Sequence, residues 1–201
     1  WRRVSDFVHQ LTQANIAIQI VHAGPKGSTL EPWKWNPKIL DEPLPEAEQW
    51  PLLSASAIPF DTYSPVPRAM TREDMDTVLA QHVDAVKRAD AAGFDMIEMH
   101  AAHGYLLSSF VTPVLNQRDD EYGGSMENRL RYPIEVCRAM RAAWPTHKPM
   151  SVRISAHDWM GELGITEKEA LLIAESFIDA GADIINVSTG QTSHSAQPQP
   201  G

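Results

Sequence analysis

Helical and strand-like patterns alternate along most of this chain, and no other feature restricts its fold as much. Val4, Phe7, Val8 and Leu11 recur near the helical period and predict a helix over residues 3–14. Ile16–Val21 is apolar and rich in β-branched residues apart from Gln19, the pattern of a buried strand. Thr71 caps a second helix, with Glu73 and Asp74 in its first turn. Met75, Val78, Leu79, Val83 and Val86 give that helix its apolar stripe, and Gly93 suits its end. Phe94–Met99 reads as a short buried strand. Leu106–Leu115 reads as a short helix interrupted by Pro113. A further helix covers Glu127–Ala143, in which Pro133 is either a kink or the true start. Met150–Ile154 is the next strand. Thr166 and Glu169 form a capping box for a helix that runs to about Ala180 and closes at Gly181, and Asp183–Val187 is the last strand.

This order implies parallel strands joined by crossover helices. No Gly-x-Gly-x-x-Gly follows any strand, so a dinucleotide-binding Rossmann sheet has little support. A complete (β/α)8 barrel takes about 250 residues. At 201 residues, the chain is predicted to be an α/β protein holding part of such a barrel. It begins at Trp1, directly in helical pattern and without a signal peptide, and reads as one piece of a longer polypeptide.

Charge and composition exclude several functions. With 17 Lys and Arg against 26 Asp and Glu, the net charge of −9 argues against nucleic acid as a partner. No apolar run approaches the roughly 18 residues of a membrane span. The single Cys137 excludes an internal disulfide, which fits a reducing cytoplasm, and reads as a small core filler. From His22 to Pro67 prolines recur and Trp33, Trp35 and Trp50 stand among them. The tryptophans favour an ordered excursion with its own small core, and Ser54–Pro59 is a candidate extended segment.

The unusual polar residues collect at or near strand carboxyl ends: Gln19 and His22, then His100, His103 and Tyr105, then Arg153, then Ser188 and Thr189. On a barrel these ends share one mouth, where ligands are handled. Each residue has a bland reading beside the functional one. Gln19 is either a core hydrogen-bonding amide or one aimed at a ligand. His100 and His103 are metal ligands, structural histidines, or imidazole donors to a developing oxyanion. Tyr105 packs on the following helix or delivers a proton. Arg153, on an otherwise apolar strand, needs a structural salt bridge or a bound acceptor. The polar run Asn116–Arg129 mixes both charge signs with a turn and reads as a self-satisfied loop network that fixes a helix start.

His-Ala-Ala-His-Gly-Tyr-Leu, Asn-Gln-Arg-Asp-Asp-Glu-Tyr-Gly-Gly-Ser-Met-Glu-Asn-Arg, Val-Arg-Ile-Ser and Gln-Ile-Val-His-Ala-Gly together resemble the Old Yellow Enzyme family of FMN-dependent ene-reductases. The narrower likeness is to the Old Yellow Enzyme-like half of bifunctional salicylyl-CoA 5-hydroxylases and aminobenzoyl-CoA monooxygenase/reductases. The resemblance implies a (β/α)8 barrel of which this chain holds about strands three to six. It implies FMN as cofactor and NADPH or NADH as reductant. It places Gln19 and Arg153 on the flavin, His100 and His103 on a substrate carbonyl, and Tyr105 at proton delivery. The substrate class is an activated alkene, enone-like or a CoA thioester, and a homo-oligomer is expected. One departure is Pro25, where the family usually has Arg. A flavin-free barrel lyase and a non-catalytic interaction domain are the rival readings. With the outer strands missing, residues 1–201 alone are expected to hold FMN weakly or not at all.

Overall fold

The computed structural model describes residues 1–36 and 41–194. Helix α1 (Arg2–Leu11) leads into strand β1 (Ala17–Ile20). An excursion follows that contains β2 (Leu53–Ser54) and β3 (Arg68–Ala69). Then come α2 (Arg72–Ala91), β4 (Met96–Ala101), α3 (Leu106–Val111), α4 (Met126–Ala143), β5 (Met150–Ser155), α5 (Glu167–Asp179) and β6 (Ile184–Ser188). The sheet order is β1-β4-β5-β6, all parallel, as the alternation requires. No helix among the described residues is long and apolar enough to cross a membrane.

The two faces of this sheet differ in chemistry. Ile97, Met99, Val152 and Ile154 point outward and pack with Val86, Phe110, Val136, Met140 and Phe177 of the helical layer. Their alternate neighbours occupy the inner face: Gln19, Glu98, His100, Ser151, Arg153, Asn186 and Ser188. The register stacks them in layers. Gln19 pairs with Glu98 and Glu98 with Ser151; one layer higher, His100 pairs with Arg153 and Arg153 with Asn186.

Several predicted features change in detail. Helix α1 forms, but its apolar stripe lies outside: Phe7 is 64% and Leu11 65% exposed, and Ser5 is its buried residue. β1 is not buried on both sides, because it is the sheet's edge and β4 is its single neighbour. In α2 the capping box joins Thr71 to Asp74, and His82 rather than Val83 takes the buried place in the stripe. Pro133 neither starts nor breaks α4, which begins at Met126 under a Ser125 cap. In the excursion, the strand Leu53–Ser54 pairs with Arg68–Ala69 and ends before residue 55. Leu52, Ala55 and Phe60 are buried in it, Ala55 as part of the main core, while Trp33 is 80% exposed.

The polar run after α3 is the network its sequence suggests. Asn116 donates to the carbonyls of Phe110 and Tyr122, and Arg118 to those of Ala55 and Met70 while pairing with Asp120. Arg129, buried, donates to Val111 O and to Glu169. These bonds seat the start of α4 against α3 and α5.

Candidate functional site

β4 ends at Ala101, and the chain turns sharply so that His103 sits at φ 61° and Gly104 at φ 71°. The turn folds His103 back toward His100. Their rings meet edge-on with centroids 5.0 Å apart, and Tyr105 meets His100 edge-on at 4.9 Å. The His103 backbone N–H donates to Ser155 Oγ at the end of β5, which holds the turn over the sheet.

Donor chemistry fixes the protons of this pair. The backbone N–H of Ala102 donates to His100 Nδ1, so a neutral His100 carries its proton on Nε2. That nitrogen lies 3.2 Å from His103 Nδ1, which must then accept. The His103 proton is therefore on Nε2, 2.6 Å from Ser188 Oγ. Both imidazoles are neutral in the physiological range: burial pushes each down to about 4, helped at His100 by His103 and at His103 by the charge of Arg153.

Arg153 reaches the same point from β5. Its Nη2 donates to Ser188 Oγ at 3.2 Å, while its buried Nε meets no acceptor among the described residues. The structural salt bridge considered for Arg153 is not seen among them. A buried cationic donor without an acceptor is one that a ligand can satisfy. Gln19 lies one layer deeper on the edge strand, exposed, with Nε2 donating 2.7 Å to Glu98.

The structure thus brings His100, His103, Tyr105 and Arg153 into one cluster and leaves Gln19 on its flank. Three participants were not among the predicted site residues. Glu98 precedes His100 by two residues, so strand alternation alone puts it on the same face. Asn186 is found by the same rule, two before Ser188. Lys26 gives no sequence signal: it lies in the loop after β1, in a single 3-10 turn, yet its Nζ is buried against the mouth. It sits 3.4 Å from His103 O, 3.3 Å from Gln191 O, 4.2 Å from the centre of the Phe60 ring and 5.1 Å from that of Tyr105. Burial lowers its pKa, opposed by Asp41 3.7 Å away.

Neutral imidazole donors, an arginine with an unmatched Nε and a phenol at the carboxyl ends of parallel strands make this the candidate ligand-handling mouth of a (β/α)8-barrel fold. The chain belongs to the NADH:flavin oxidoreductase / NADH oxidase family, whose profile matches residues 1–200. It is 40% identical over 179 residues to an NADPH dehydrogenase of Clostridium acetobutylicum, covering 88% of this chain and 47% of that one. Histamine dehydrogenase from Rhizobium sp. 4-9 superposes with a TM-score of 0.74 at 31% identity, over 94% of this chain and 26% of that one. An old yellow enzyme homologue from Zymomonas mobilis has a TM-score of 0.73 over 93% of this chain and 51% of its own, and at 24% identity it shares the fold. The chain spans about half the length of the curated relatives it matches. Membership brings FMN and a nicotinamide nucleotide as cofactors. The unsatisfied Arg153 Nε and the exposed Gln19 amide suit the polar edge of such a ring.

Proposed function

We propose that the full-length protein reduces an activated C=C bond conjugated to a carbonyl, with FMN as its redox group. The observation that carries this reading is the neutral, proton-ordered pair His100–His103 beside Arg153. When bound, FMN would supply the hydride chemistry, with NADPH or NADH as the source of the electron pair and the alkene β-carbon as its acceptor. Gln19 and Arg153 hold the flavin's pyrimidine edge. His103 donates its Nε2–H to the substrate carbonyl oxygen, and His100 turns its Nε2–H from His103 Nδ1 to the same oxygen, taking up negative charge there as the β-carbon accepts hydride. The incoming oxygen replaces Ser188 Oγ as the acceptor for His103. Tyr105 keeps its proton because burial, and then the nearby Asp41, raise its pKa, so it can protonate the α-carbon. The narrower sequence likeness makes a conjugated acyl-CoA thioester the alternative to a simple enone.

An absorbance spectrum of the full-length protein, purified without added cofactor, tests this. The expected result is flavin bands that bleach under anaerobic NADPH and return on adding 2-cyclohexenone or an aromatic acyl-CoA. A colourless protein that takes up no added FMN overturns the proposal. Flavin that bleaches but is reoxidised by neither acceptor removes the C=C step and leaves the flavin reductase.

A further inference from the structure

We propose that Glu98 is a positioning residue that fixes the sense of the Gln19 amide, turning its carbonyl oxygen rather than its nitrogen toward the ligand. The inference rests on the flavin reading above and deepens it.

Glu98 is the hub of its layer. Its Oε1 accepts from Gln19 Nε2 at 2.7 Å on β1. Its Oε2 accepts from Ser151 Oγ at 2.8 Å on β5 and from Asn186 Nδ2 at 2.9 Å on β6. A carboxylate accepts and never donates, so the nitrogen end of an amide must face it. Two amides, on opposite sides of β4, are thereby held with nitrogen inward. Burial works against the charge on Glu98, but the bonds from Asn186, Gln19 and Ser151 and the charge of Arg153 outweigh it and hold the carboxyl below its usual pKa. The lock is therefore in place throughout the neutral range.

The outward result is an ordered pair of functions. β1 offers the Gln19 carbonyl, and β5 offers the unsatisfied Arg153 Nε. An acceptor and a cationic donor on one sheet face, two strands and one layer apart, complement a ring edge that carries both N–H and C=O. The flavin pyrimidine edge, with N3–H between two carbonyls, has that pattern. Glu98→Gln would lose the lock, because two amides can pair in either sense.

The test is equilibrium binding of FMN and of N3-methyl-FMN to the full-length apoprotein, followed by flavin fluorescence, in wild type and Glu98→Gln. The methyl group removes the N3–H, and its bulk is common to both proteins. The wild type is expected to prefer FMN, and Glu98→Gln to shrink that preference about tenfold, the worth of one fixed hydrogen bond. Glu98→Asp, still an acceptor only, restores most of it. A preference unchanged in Glu98→Gln overturns the inference while FMN binding stands. A wild type that binds neither flavin overturns the flavin reading and this inference with it. If Glu98→Gln does not fold, the wild type decides: the Gln19 side-chain carbonyl carbon resonance must differ between the two flavin complexes, and equality overturns the inference.

Discussion

Ser188 Oγ, at the end of β6, lies 2.6 Å from His103 Nε2 and receives its proton. The same oxygen accepts from Arg153 Nη2, so one hydroxyl joins the imidazole pair to the arginine. Replacing it with Ala leaves His103 Nε2 and Arg153 Nη2 without this partner. Ser188→Ala is expected to lower kcat about fivefold, the effect of about 1 kcal/mol, through Arg153 Nη2, which keeps Ser188 as its partner when the substrate oxygen takes the His103 N–H. FMN binding should change less, because Gln19 does not touch Ser188 and Arg153 meets it through Nη2, not through the unmatched Nε offered to the flavin. Steady-state kinetics beside a flavin titration separate the two effects.

The histidine protons are directly observable. Nitrogen-15 spectra at neutral pH should show both His100 and His103 as neutral Nε2–H tautomers. The stability consequence has a definite sign. Each folded imidazole titrates at about 4, against 6.5 for the unstructured residue. Between these values the unfolded chain binds more protons, so stability falls as pH falls through that window. The stabilisation is fully present above pH 6.5. The thermal midpoint should therefore drop from pH 7 toward 4, and a His100→Asn/His103→Asn variant should drop less steeply. Parallel curves for the two proteins would remove the assignment.

The sequence made the architecture legible because its caps and periods agree with the sheet. Thr166–Glu169 and Thr71–Asp74 close real capping boxes, and each strand of the four-stranded sheet stands within two residues of its pattern. The candidate site was legible where its residues interrupt an apolar strand end or directly follow one, as His100, His103 and Arg153 do. It was illegible where the residue lies deeper on the strand, as Glu98 and Asn186 do, or where tertiary packing delivers it. Lys26 reaches the mouth because Phe60, Asp41 and Gln191, distant in sequence, close around it. The exposed stripe of α1 misled for the opposite reason: its period is real, yet nothing in the described chain covers Phe7 or Leu11.

Lys26 should act on the site through its charge. His103 is held low first by burial, then by Arg153, then by Lys26. Removing one cation favours the imidazolium, so Lys26→Met should raise the His103 pKa above about 4. Proton NMR titration of the His103 ring reads this directly. His82, buried in α2 and hydrogen-bonded to Val78 O, serves as the internal reference that should not move.

Gly24 shows how closely the loop after β1 is fitted to the site. It has φ 60°, and a Cβ there would stand 2.6 Å from Leu106 N and 2.7 Å from Leu106 Cα. Those atoms open α3, and Leu106 N donates to His22 O at 3.1 Å. Backbone cannot swing aside as a side chain does, so Gly24→Ala must push apart the loop carrying Lys26 and the turn carrying Tyr105. Gly124 is the control: its φ is 79°, but nothing lies within 4 Å of an added Cβ. Gly124→Ala should cost about 1 kcal/mol from left-handed backbone alone. Gly24→Ala should cost that amount and a further 1–3 kcal/mol or so, the range of over-packing a close contact. Urea midpoints compare the two. Equal losses would mean that the loop gives way freely; a larger loss at Gly24, accompanied by lower kcat, would show that the approach of the β1 loop to α3 holds Tyr105 and His103 in register.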